Sequence, residues 1–240
     1  MTGACELSLK PTIIAFDADD TLWHNERYFQ ISHERFAKLL QPYTDPDHLA
    51  ERLLAAERRN LGRYGYGIKG FTLSMIETAI EVTETKVPAS VISKLLAVGQ
   101  DMLVHPIELL PGADEVVREV AQKHQVLLIT KGDLLDQERK LAQSGLGDHF
   151  DGVEIVSEKH PEIYRNIFDN YGVVSARSMM VGNSMKSDIL PALAVGAWGV
   201  HVPHDLTWAL EHAEAPTDHQ RFRSLTELQE LPELLCDIDL

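Results

Sequence analysis

Four short apolar runs, 12–16, 126–129, 178–181 and 199–202, constrain this chain most, because each stops abruptly on polar residues. Short runs of this kind resemble strands buried on both faces of a parallel sheet. Amphipathic helical stretches lie between them, at 113–123, 134–144, 162–171 and 188–194. Strand and helix alternating through short links predict an α/β fold on a doubly wound parallel sheet, where ligands sit beyond the carboxyl ends of the strands. The runs end at Asp17, at Thr130, at Gly182-Asn183-Ser184 and at Pro203, so the polar residues collect at that edge.

The stretch 24–105 breaks the pattern. It carries helical periodicity over 26–40, 47–61, 72–82 and 88–102, with Pro88 suited to a first helical turn. This predicts an all-α insert at 24–105 in an α/β core made of 1–23 and 106–240, with Leu110-Pro111-Gly112 marking the return to the core. A chain of 240 residues with 44% hydrophobic content can bury one sizeable core and a smaller attached unit. Between the second and third helices, Arg63-Tyr64-Gly65-Tyr66-Gly67-Ile68-Lys69-Gly70 reads as a glycine-rich loop.

A formal net charge of -15 argues against nucleic acid or an anionic membrane surface as a partner, since both need a positive field. No apolar run reaches the roughly 18–20 residues of a membrane span, and no basic segment followed by an apolar one opens the chain. The two cysteines, Cys5 and Cys236, imply no disulfide framework, so a cytoplasmic location is expected.

Asp17 and Asp19 stand two residues apart at a strand end, followed by Asp20 and Thr21. In extended chain a two-residue offset points both side chains to one face, where two carboxylates can share a cation and a substrate. Like charges so close raise the pKa of one member unless a cation neutralises them, which suits a charged nucleophile beside a protonatable acid/base. A polar strand end that merely caps the next turn is the plainer alternative.

The segment Phe16-Asp17-Ala18-Asp19-Asp20-Thr21-Leu22 resembles the first signature of the haloacid dehalogenase-like hydrolases, Asp-x-Asp-x-Thr, with Asp20 where a glycine is usual. The later signatures follow in order. Thr130 is similar to the family's phosphate-binding Ser/Thr, with Lys131-Gly132 offering backbone N–H groups beside it. Lys159 matches the family's basic residue, and Gly182-Asn183-Ser184-Met185-Lys186-Ser187-Asp188 resembles its final acidic loop, with Asp188 in a metal-ligand position. Asn183 departs from the acid often found there and supplies a neutral oxygen instead. The resemblance implies Mg²⁺ held by Asp17, the backbone carbonyl of Asp19, Asp188 and Asn183, and a helical cap of the type inserted after the first signature.

What the resemblance implies chemically is a phosphatase acting on a small phosphorylated metabolite such as a sugar phosphate, phosphoglycolate or a nucleoside monophosphate. Asp17 would be the nucleophile, Asp19 the acid and then the base, with Thr130 and Lys159 on the phosphoryl oxygens. The 64–70 loop is the candidate specificity element, with Lys69 for an anionic group and Tyr64 or Tyr66 for stacking; an ordinary helix connection is the alternative. A 2-haloacid dehalogenase, a phosphomutase and a non-catalytic phosphate-responsive module are the rival readings. A monomer or homodimer is expected.

Overall fold

The structure is a computed structural model and describes residues 10–238. Cys5 lies outside them. The chain opens with strand β1 (Ile13–Phe16) and then leaves the core for α1 (Glu26–Leu40), α2 (Pro46–Tyr64), α3 (Ile68–Val82) and α4 (Ala89–Leu103). It returns through α5 (Ala113–Ala121), β2 (Gln125–Lys131), α6 (Leu134–Ser144), β3 (Gly152–Val156), α7 (Pro161–Asn170) and β4 (Ser178–Gly182). The last elements are α8 (Leu190–Ala194), β5 (Trp198–His201), β6 (Phe222–Ser224) and α9 (Leu231–Ile238). Among the described residues no helix is long and apolar enough to cross a membrane.

Among these residues the strands form one six-stranded sheet in the order β3-β2-β1-β4-β5-β6, every pair parallel. The order reverses between β1 and β4, and a crevice opens at such a switch point. Alternating side chains of the central strands serve opposite layers. Ile14, Phe16, Val126, Leu128, Met179 and Val181 join the core under α5 and α9. Ile13, Ala15, Leu127, Ile129 and Met180 join the other, against Tyr164, Ile167 and Phe168 of α7. Burial on both faces explains why these strands read as unbroken apolar runs.

Two strands were not visible as such runs. β3 carries Glu154 and a 39% exposed Val153, and β6 has no fully buried residue, so neither builds an apolar run of its own. The segment expected as a helix over 188–194 begins earlier, as a π-helical turn Met185–Ile189 that passes into α8. Ser184 caps it by accepting from Ser187 N–H, and Pro191, which lacks an N–H, sits in the first turn of α8.

Helices α1–α4 own a separate hydrophobic cluster that includes Phe36, Leu53, Phe71, Met75 and Leu95. They form a helical cap over the sheet. The glycine-rich loop is shorter than expected: α2 runs to Tyr64 and α3 starts at Ile68, leaving Gly65-Tyr66-Gly67 as the connection and placing Lys69 and Gly70 on a helix. Gly67 has φ 110°, and a Cβ there would come within 3.2 Å of the Asp133 backbone nitrogen. Glycine at this position therefore lets the cap settle directly on the core loop after β2.

Candidate active site

The register of the two central strands places the site. Phe16 pairs with Val181, and the Asp17 N–H donates to Val181 O at 2.9 Å, so Asp17 leaves the sheet beside Gly182. Lys159, in the loop between β3 and α7, is buried with its ammonium 2.5 Å from Asp17 Oδ1 and 2.7 Å from Asp188 Oδ1. The other Asp188 oxygen accepts from Ser184 N–H at 2.8 Å. Asp188 can lie this close because Gly182 has no side chain; a Cβ there would overlap its carboxylate.

The electrostatics follow from burial. Burial, and next the neighbouring Asp188, push the Asp17 carboxyl up to about 7 against the lowering effect of Lys159. Burial opposes the charged form of Lys159 too, but the Asp17 and Asp188 carboxylates hold its ammonium well above the usual lysine value. One lysine thus faces two buried carboxylates.

Thr21 ties the loops after β1 and β4 together. Its hydroxyl lies 3.0 Å from Asp17 Oδ2 and 3.3 Å from Asn183 Oδ1, and it accepts from Asn183 N–H at 3.1 Å. Thr130, at the end of β2, is a buried residue that lines the same crevice, and its hydroxyl makes no hydrogen bond with any described residue. Gly132 follows with φ 138°, turning the chain away from the sheet.

Asp19 is more tightly held than its sequence position suggests. Oδ1 accepts from Trp23 Nε1 at 2.7 Å and Lys140 Nζ at 2.9 Å, and Oδ2 from Gln137 Nε2 at 2.8 Å and Lys140 Nζ at 3.1 Å. Asp20 adopts φ 61°, the left-handed backbone that a glycine would take without strain, and its carboxylate accepts from the Asn25 and Glu26 N–H groups at the start of α1.

Two cationic residues are spent elsewhere. The Lys131 ammonium is held inside the protein: Nζ bonds Glu211 Oε1 at 2.7 Å and Ser187 Oγ at 2.8 Å, and it lies 3.8 Å from the Tyr66 ring centroid. Lys69 pairs with Asp133 across the cap–core boundary and is absent from the crevice wall. Tyr66 does line the crevice, and its hydroxyl donates to Glu158 Oε2 at 2.5 Å.

The donor set fits a hard divalent cation. Asp17, Asp188 and Asn183 offer only oxygen, which suits Mg²⁺, and the buried carboxylates exceed the single lysine charge between them. A second cluster, Asp20, His24 and His204, brings its ligand atoms within 4.8 Å of one another. That cluster offers two imidazole nitrogens and a single carboxylate, so the oxygen-only set is the better match for magnesium.

Several site residues carried no sequence signal. Glu211 accepts from Ser184 Oγ at 2.6 Å and Ser187 Oγ at 2.5 Å, yet it lies in a loop without motif or periodicity. Lys140 belongs with Asp136 and Gln137 to the buried face of α6, a polar patch on a face that should be apolar. That anomaly was readable in the sequence as charges at helical spacing, though not its target.

The parallel sheet, the helical cap and the lysine-bridged carboxylates at the switch point define a capped α/β hydrolase. A family profile described as haloacid dehalogenase-like hydrolase matches residues 11–196, and the chain belongs to that family. The crystal structure of a haloacid dehalogenase-like family hydrolase from Xanthomonas campestris is 39% identical, with TM-score 0.87 over 98% of this chain and 94% of that one. The HAD-hydrolase YfnB from Bacillus subtilis, solved bound to magnesium, shares the fold at 16% identity, with TM-score 0.65 over 94% of this chain and 99% of that one. Glyceraldehyde 3-phosphate phosphatase from Pyrococcus furiosus is 27% identical over 133 residues, 52% of this chain. The match spans about half the length of that protein, 53%.

Proposed function

We propose that the protein is a Mg²⁺-dependent hydrolase of small phosphate monoesters that works through an aspartyl-phosphate on Asp17. The observation that carries this reading is the Asp17–Lys159–Asp188 arrangement beside the unpartnered Thr130 hydroxyl: two carboxylates, one fixed cation and a free donor at one strand edge. The Pyrococcus relative's phosphatase activity and the magnesium bound to YfnB support it.

Mg²⁺ held by Asp17, Asp188, Asn183 and the Asp19 carbonyl would supply the positive charge that lets two anions meet. An Asp17 oxygen bonds to phosphorus as the ester P–O bond breaks. Asp19 turns from its Lys140 and Gln137 partners, as a protonated carboxyl, and gives its proton to the leaving alkoxide. Water then attacks the phosphorus and loses a proton to Asp19, which frees phosphate and restores the Asp17 carboxylate. Thr130 and the Lys131 and Gly132 N–H groups hold the phosphoryl oxygens, and Lys159 offsets the charge that builds on them. The cap excludes bulk water.

The dehalogenase reading leaves Asp19 without a task, because a halide needs no proton. Turnover of p-nitrophenyl phosphate and simple monoesters, with Mg²⁺ and with excess chelator, separates the readings. Asp17→Asn is expected to abolish turnover with an unchanged circular dichroism spectrum. An active Asp17→Asn protein, or full activity in chelator, overturns the proposal.

A further inference from the structure

The crevice extends from Asp17 up into the cap, where apolar side chains such as Phe29 and Phe71 share the wall with a few hydrogen-bonding groups. Glu26 opens α1, and Glu57 and Asn60 stand on α2; all three line the crevice. The Glu26 and Glu57 carboxyl groups make no hydrogen bond with any described residue, and the nearest cation to Glu57, His33 Nε2, stands off at 3.9 Å. Glu57 is 9% exposed. Asn60, 2% exposed, gives its Nδ2 to Glu77 Oε2 at 2.8 Å and Ser74 Oγ at 3.2 Å, while its buried Oδ1 has no partner.

That amide cannot be turned the other way. The Glu77 carboxylate only accepts, and the Ser74 hydroxyl already donates to Gly70 O, so both demand the Asn60 NH₂ group. The buried Oδ1 is therefore left without a donor. Buried acceptors left without donors cost free energy, and a ligand that brings donors recovers it.

We infer that Glu26, Glu57 and Asn60 form a subsite for the non-phosphate end of the substrate, and that this end is rich in hydrogen-bond donors and carries no negative charge: hydroxyls or an ammonium. Phe29 and Phe71 complete the wall and fit the carbon skeleton between donors. The Glu57 carboxylate repels a carboxylate-bearing ester, so selectivity comes from rejection as well as attraction. This inference rests on the phosphatase reading for the other end of the crevice.

The test compares glycerol 3-phosphate, 2-aminoethyl phosphate, ethyl phosphate and phosphoglycolate in two assays. Turnover by the unaltered protein tests the phosphatase reading: if none of the four is cleaved, that reading fails. Calorimetric affinity of Asp17→Asn protein for the same uncleaved esters tests the subsite on its own. The hydroxyl or ammonium ester is expected to bind at least about tenfold more tightly than ethyl phosphate, with phosphoglycolate weakest. Which of the two leads identifies the donor. Combining Glu57→Gln with Asp17→Asn is expected to narrow the gap to phosphoglycolate by about tenfold. Equal affinities for all four, or phosphoglycolate binding best, overturns the subsite even if every ester is hydrolysed.

Discussion

The Asp188 carboxylate occupies the space that a side chain on Gly182 would fill, so the last residue of β4 sets the position of the acid six residues later. In Gly182→Ala the methyl group forces Asp188 away from Asp17 and Lys159. The Mg²⁺ concentration giving half-maximal activity is expected to rise by about tenfold, in line with the loss typical of disturbed ligand positioning. A metal titration of activity checks this; an unchanged curve would mean that Asp188 does not serve the metal.

Among the described residues, Lys159 is the only cation within bonding distance of both buried carboxylates. Removing one partner of a buried charged cluster typically costs about 3–5 kcal/mol. Lys159→Met is therefore expected to lower stability by that order in chelator, and added Mg²⁺ is expected to restore part of it. Urea unfolding with and without the metal reads both quantities, and a loss that magnesium does not touch would argue against metal binding between Asp17 and Asp188.

Lys140 holds Asp19 and also bonds Asn25 Oδ1 at 2.8 Å, just before α1 begins. Lys140→Met is expected to reduce kcat by about tenfold or more with little change in KM, because it positions the proton donor without touching the substrate. It should also alter the pH profile of kcat. A change in KM alone would assign Lys140 to cap closure instead.

Burial, with Asp20 and Glu57 adding to it, lifts the Glu26 carboxyl from 4.5 to about 8. The folded protein thus holds a proton that the unfolded chain releases above pH 4.5, so this group reduces stability progressively as pH rises from about 4.5 to about 8. Glu26→Gln removes that loss. The variant is expected to gain on the order of a few kcal/mol relative to the parent at pH 8–9 and almost nothing near pH 4. Denaturant titrations at the two pH values decide it.

The sequence carried the sheet's interior but not its borders. β1, β2, β4 and β5 were legible because burial on both faces leaves only apolar residues, whereas β3 and β6 lie at the edges and keep polar ones. Asp17, Thr130, Lys159 and Asp188 line one crevice because they stand at or after the carboxyl ends of β1, β2, β3 and β4 in turn. The fate of Lys131 was not legible: its partner Glu211 comes from 80 residues further on, in a segment with no pattern. The Lys69 pairing was not legible for a related reason: α3 begins one residue before it, and its ammonium meets Asp133. Long-range pairing of single charges leaves no local trace.

The two ends of the crevice belong to separately packed bodies, with Asp17 on the sheet and Glu57 and Asn60 on α2. They are held in register across the boundary by the Gly67 contact, the Tyr66–Glu158 bond and the Lys69–Asp133 pair. On the proposed function, a substrate's tail is read only while these three contacts hold. Weakening the latch would make the enzyme indiscriminate before it made it slow.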